Sequence, residues 1–166
     1  MLFKASAMGY WKRMIMITLI ALMCLLAYMM YDMLSDYTRE VLSIANLEIE
    51  ITDISVIEND TRMVILLLTR NPSQSVLEIV FLRCTIYVDG AYLWSFTKDM
   101  RYSPLKASKG ERTFKISANL PSRVRDAMRR AERISIEVSA SVKSYYAVSV
   151  LKHASCIVNA SDGISY

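Results

Sequence analysis

The chain is poor in the residues from which most active sites are built. It holds one histidine, His153, with four glycines, three prolines and three cysteines among 166 residues. A single imidazole excludes a histidine metal cluster, and it leaves a Ser-His-Asp set with one candidate base near a strand end and no partner legible beside it. No Gly-rich phosphate loop, CxxC or HExxH occurs. Glu48 and Glu50 lie two apart and so share one face of a strand, but they alternate with Leu47, Ile49 and Ile51, the pattern of a solvated face. No catalytic residue, metal site or cofactor is expected, and the chain does not read as an enzyme.

Charge is also missing where it matters most. Met14 to Tyr31, eighteen residues, contains no Asp, Glu, Lys or Arg. As a helix this run is roughly 27 Å long, close to the hydrocarbon thickness of a bilayer, with Arg13 able to snorkel at its start. It shows no polar face, as a core helix of that length would. Tyr10 and Trp11 before it, and Tyr28 and Tyr31 at its end, fall where amphipathic rings prefer the headgroup layer. Eight of the eleven methionines lie at or before residue 33, as flexible apolar filling of a membrane helix.

The flanking charges orient the span. Lys4, Lys12 and Arg13 precede it without an acid, whereas Asp32, Asp36 and Glu40 follow it against Arg39 alone. The basic end is expected in the cytoplasm and the rest of the chain outside, at a cell membrane. A cleavable signal peptide has the same order of regions, but the apolar run is long and no Ala-x-Ala-like site follows it. The expected organisation is a cytoplasmic tail (1–13), a transmembrane helix (14–31), a helical stalk (32–46), one β-domain (47–153) and a C-terminal tail (154–166). The stalk contains neither Gly nor Pro, so a stiff connection is expected.

From Leu47 the apolar period changes from helical to alternating. Strands are expected at Leu47 to Val56, Met63 to Thr69, Val76 to Val88, Ala91 to Phe96, Glu111 to Leu120, Ile134 to Lys143 and Tyr145 to Lys152. Asp89-Gly90 supplies a tight hairpin, and Lys98 to Lys109 reads as a polar connection. Pro121-Ser122 opens a short surface helix in which Val124, Ala127, Met128 and Ala131 form one stripe. About seven short strands point to an all-β fold, an immunoglobulin/fibronectin-III-like antiparallel β-sandwich preceded by one N-terminal transmembrane helix.

Several residues carry possible chemistry. Cys24 lies in the span. Cys84 and Cys156 lie in the outer region, either as a disulfide or as two reduced, buried thiols. Asn59-Asp60-Thr61 and Asn159-Ala160-Ser161 are sequons compatible with glycosylation of Asn59 and Asn159, whereas Pro72 excludes Asn71. Arg123, Arg125, Arg129, Arg130 and Arg133 form an arginine-rich surface, either solvated and partly balanced by Asp126 and Glu132 or facing headgroups, acidic glycans or a partner. The net charge of +4 is modest, and the outward location argues against nucleic acid.

A strand ending at Asn71-Pro72-Ser73, a long strand, a turn at Asp89-Gly90, a Pro-containing link to Gly110 and two further strands resemble the LEA-2 family, also called the WHy (water stress and hypersensitive response) domain. The resemblance covers about residues 47–153, with Ser73 where the family often has a second Asn and Asp89 where Asn before Gly is common. It implies a sandwich with a protective or interaction role and no catalytic apparatus. The expected function is therefore that of a membrane-anchored binding, structural or stress-protective protein, with the lipid bilayer and a protein partner or membrane complex as its contacts. The alternatives are an accessory subunit of a larger membrane complex and a pilin-like filament subunit; Lys12 and Arg13 interrupt the entry to the apolar run that a pilin would keep continuous.

Overall fold

The computed structural model describes residues 3–57, 61–145 and 149–159. Its contacts divide the chain into two units, Met1–Arg39 and Glu40–Tyr166.

The first unit belongs to one helix, α1 (Phe3–Ala45), which continues into the second. The stretch Tyr10–Ala45 contains a window of mean hydropathy 2.3, none of it buried, long and apolar enough to cross a membrane. Within the charge-free run Thr18 donates its hydroxyl to the Met14 carbonyl at 2.9 Å. That bond satisfies the Thr18 hydroxyl within the helix.

The second unit is two antiparallel sheets. β1 (Glu48–Ile57), β2 (Arg62–Asn71) and β6 (Gly110–Asn119) form a three-stranded sheet in the order β1-β2-β6. The other is ordered β4-β3-β7-β8, with β3 (Leu77–Val88), β4 (Ala91–Asp99), β7 (Arg133–Lys143) and β8 (Ser149–Asn159), while β5 (Leu105–Ala107) also pairs with β3. α2 (Ser122–Arg130) connects β6 to β7. The architecture is a β-sandwich preceded by one long apolar helix, as the alternating pattern requires.

Alternation explains the core. Met63, Ile65 and Leu67 of β2 and Ile116 of β6 meet Leu82, Cys84 and Ile86 of β3 and Ile136 and Val138 of β7 in one buried cluster. Full burial of each large side chain there contributes about 1.5–3 kcal/mol against exposure. Ile44 and Leu47, at the end of α1 and just beyond it, are buried in the same cluster. α2 adds Val124 and Met128.

Two bulges keep the apolar residues inward where the sequence changes parity. In β1 the register shifts between Ile51 and Asp53, so Thr52 is the extra residue and both Ile51 and Ile54 reach the core. In β3 a shift between Ile79 and Phe81 does the same for Ile79 and Leu82. β2, the most aliphatic strand, is central, paired along its length with β1 and β6.

Two boundaries differ from those the sequence predicts. β5 lies inside the stretch read as a polar connection, and it pairs Leu77, Glu78 and Ile79 with Ala107, Lys106 and Leu105. The last strand is Ser149–Asn159 instead of 145 to 152, so residues 154–159 belong to the sandwich and not to a tail. Lys152 sits in inward register opposite buried Ala140, which hides the alternation from the sequence.

Candidate interaction site

The registers define two poles of the sandwich. At one, Glu48 pairs with Arg70 and Arg70 with Glu111, next to the end of α1. At the other, Arg62 pairs with Ile57 and Asn119, and Val88, Ala91 and Arg133 gather with α2 between β6 and β7.

The near pole is held by Asn71. Its amide Nδ2 donates to the carbonyls of Ser75 and Ala107, both at 2.8 Å, while its Oδ1 accepts from Ser73 N at 3.0 Å and Ser73 Oγ at 2.7 Å. The side chain is buried with both ends satisfied, and Pro72 ends β2 because it has no N–H to give the ladder. Ser75 Oγ then donates to Glu40 Oε1 at 2.7 Å, so the Asn-Pro-Ser turn, β5 and the last turns of the helix are linked. Glu48 and Glu50 flank Arg70, whose guanidinium also meets Glu111 at 2.9 Å. All four side chains are exposed, a solvated ion-pair cluster spanning three strands.

The far pole is basic. Arg123, Arg129, Arg130 and Arg133 are exposed, and Arg125 is half-buried beside Asp126 at 3.6 Å. α2 turns Val124 and Met128 inward, which is why its arginines face out. Arg129 and Arg130 in its last turn also complement the negative end of the helix dipole.

That pole is also tightly tied. Asp89 (φ 50°) and Gly90 (φ 82°) form the two-residue hairpin between β3 and β4. A side chain at Gly90 would meet nothing within 4 Å, so its backbone angle, not space, calls for glycine. Asp89 Oδ1 accepts from the backbone N–H of Glu132 at 3.2 Å and of Arg133 at 2.9 Å, and Asp89 N donates to the Arg133 carbonyl at 2.9 Å. Beside this clamp lies a groove of about 390 Å³ lined by Tyr87, Gly90, Arg133, Ser135 and Glu137. Tyr87 meets Tyr92 edge-to-face at 6.3 Å. Loss of hydration, then the charge of Glu137, holds the Tyr87 phenol above its ordinary pKa.

A second depression, about 260 Å³, shares Glu137 and is lined by His153, Ala154 and Ser155. The sequence offers His153 no visible partner, and pairing of β7 with β8 supplies one: Ser139 Oγ lies 3.0 Å from His153 Nδ1. The contact is on an exposed sheet face. Only knowledge of the strand register could have found it.

Cys84 and Cys156 are both free. β7 runs between their strands, with Cys84 opposite Val138 and Cys156 opposite Ile136. Two strand spacings separate their backbones by roughly 10 Å, against the ~4.4–6.8 Å between Cα atoms that a disulfide needs. The disulfide is therefore excluded by the sheet order, and Cys156 is half-buried where full burial was expected. Burial pushes the Cys84 thiol up to about 12. Asn59 lies outside the described residues, and Asn159 closes β8 with the rest of its sequon beyond them. Among the described residues no group of three His, Cys, Asp or Glu is placed to hold a metal ion.

No family model matches the chain, and no curated protein matches it. Solved structures align with it. A protein described as ApaA from Bordetella pertussis aligns with TM-score 0.50 and 6% identity over 69% of this chain and 93% of its own. A protein from Archaeoglobus fulgidus aligns with TM-score 0.45 and 14% identity over 69% of this chain and 94% of its own. A protein described as late embryogenesis abundant aligns with TM-score 0.47 and 9% identity over 75% of this chain and 77% of its own. At such identities the likeness is one of fold alone.

Proposed function

We propose that the chain is a non-catalytic, single-pass membrane protein holding a LEA-2-like β-sandwich outside the cytoplasm, where it acts by binding or structural protection. The observation that carries this reading is α1, with an apolar window of mean hydropathy 2.3, none of it buried. An uncovered helix of that length is stable in hydrocarbon and poorly so in water. Lys4, Lys12 and Arg13 on one side and Asp32, Asp36 and Glu40 on the other set the sandwich on the outer side.

The LEA-2 reading rests on the sequence order around Asn71-Pro72-Ser73 and Asp89-Gly90. The bonds of Asn71 and Asp89 give both short motifs a structural reason. The partners in this reading are the bilayer and a protein or membrane complex, and the sequons at Asn59 and Asn159 face the glycosylating side.

The test is alkaline carbonate extraction of the full chain from its native membrane, combined with labelling by an impermeant maleimide. The chain should stay with the bilayer, and in a background with Cys84 and Cys156 replaced by Ser, Ser117→Cys should be labelled from outside while Lys4→Cys is not. Release by carbonate, or recovery of a form cleaved after the apolar run, would overturn the anchor. Native mass after mild detergent then separates the roles: a lone monomer supports a stand-alone protein, fixed stoichiometry with other membrane proteins an accessory subunit, and a large homopolymer a filament.

A further inference from the structure

The groove at the basic pole has the parts of a ligand site. Its volume of about 390 Å³ is in the range that holds a small ligand, and the neighbouring depression of about 260 Å³ extends it past Glu137 along β8. Its walls are fixed, because Asp89 binds the hairpin to the α2–β7 junction through three hydrogen bonds. Tyr92 is 60% exposed and meets the groove-lining Tyr87 edge-to-face, so its ring extends the groove on the β4 side, across Tyr87 from Ser135. The guanidinium of Arg133 makes no hydrogen bond or ion pair with another described residue, while its backbone is pinned by Asp89.

We propose that this groove binds an anionic saccharide, with Tyr92 under a sugar ring, Arg133 on a carboxylate and Ser135 and Glu137 on hydroxyls. The inference deepens the binding role proposed above and rests on it for the outward placement of the groove. Ring surface next to paired donors and acceptors suits a ligand with apolar C–H faces and many hydroxyls. A guanidinium carried at the rim on a pinned backbone can meet a carboxylate in two-pronged geometry. Arg129 and Arg130, just before Arg133 in the chain, raise the local positive potential. A bilayer surface fits less well, since α2 turns Val124 and Met128 inward and leaves no apolar wedge to insert.

The experiment uses the full chain in zwitterionic lipid nanodiscs, titrated with an oligogalacturonate and with the same oligosaccharide after reduction of its carboxyl groups. The acidic form should bind about tenfold or more tightly than the neutral form, and the difference should shrink with added salt. Arg133→Gln should lower affinity for the acidic form about tenfold and leave that for the neutral form unchanged. Tyr92→Ala should weaken both, and Tyr92→Phe, which keeps the ring, neither. Equal affinity for the two saccharides, binding to neither, or an unchanged Arg133→Gln would overturn the site. Binding to phosphatidylserine vesicles or to single-stranded DNA as tight as to the oligogalacturonate would also overturn it, in favour of a general polyanion surface. Carbonate extraction of the same preparation reads the anchor separately, so failure of the groove is distinguishable from failure of the membrane assignment.

Discussion

Lys152 lies opposite Ala140 in inward register, yet its Nζ donates to the carbonyl oxygen of Ala45 at 2.7 Å. A lysine at an inward position on an edge strand thus reaches the end of the sandwich and caps the last turn of α1, 107 residues away. Lys152→Met keeps the stem and removes the donor. Stability should fall by about 0.5–1.5 kcal/mol, and amide exchange at Asn46 and Leu47 should quicken, read by chemical denaturation and hydrogen exchange.

Asn71 carries more. Its replacement by Ala removes the amide donor from the Ala107 and Ser75 carbonyls and the acceptor from Ser73 N and Oγ, leaving Ser75 O only the long 3.4 Å bond from Ser73 Oγ. With one to three kcal/mol for each buried group left unpaired, Asn71→Ala should destabilise by roughly 2–4 kcal/mol. Pro72→Ala, which leaves those bonds in place, should cost much less. A smaller effect from Asn71→Ala than from Pro72→Ala would contradict the role given to the amide.

The Cys84 thiol is raised by burial to about 12, from 9.0. Burial favours the protonated form, so its contribution to stability is complete below pH 9 and is lost as pH rises towards about 12. Across that window stability should fall by up to about 1.4 kcal/mol per pH unit on this account, and Cys84→Ala should flatten the slope. At neutral pH a thiol reagent should modify Cys156 well before Cys84. No reagent should be needed to reduce a bond between them.

Asp99 behaves in the opposite sense. The side-chain hydrogen bond from Arg101, then the bond from its backbone, lowers the Asp99 pKa. Asp99 therefore stabilises the fold above the ordinary carboxylate range, and the contribution is lost as pH falls through its lowered value. A carboxyl-carbon titration by NMR should show Asp99 titrating below the ordinary carboxylate range, and Arg101→Ala should move it upward.

The long apolar helix and most of the strands were legible because each rests on a long, regular pattern. The eighteen uncharged residues from Met14 and the alternation from Ile134 to Lys143 need no tertiary information. The bulge at Thr52 was not legible as such, since the sequence reads as one apolar side running from Ile51 on to Ile54 and Val56, and only the register shows the shift. β8 was hidden because an inward Lys152 and small Ala154 break its alternation, and β5 because three residues carry no period. Of the site, the arginines were legible as a cluster. The groove was not, since Tyr87, Arg133 and Glu137 come together only when β3 pairs with β7, and no local signal encodes that pairing.

The placement of the two poles also sets how the sandwich carries force. α1 enters it beside Glu48, at the start of β1, whereas the Arg133 groove is at the opposite end of the strands. A pull applied between the end of α1 and the Arg133 pole would run along the strands and load the hydrogen bonds of β1 with β2 sideways and all at once, since those bonds lie across the strand direction. Zippered open from one end they would part singly; sheared together they resist as a set. Under such a pull the load path would run through β1.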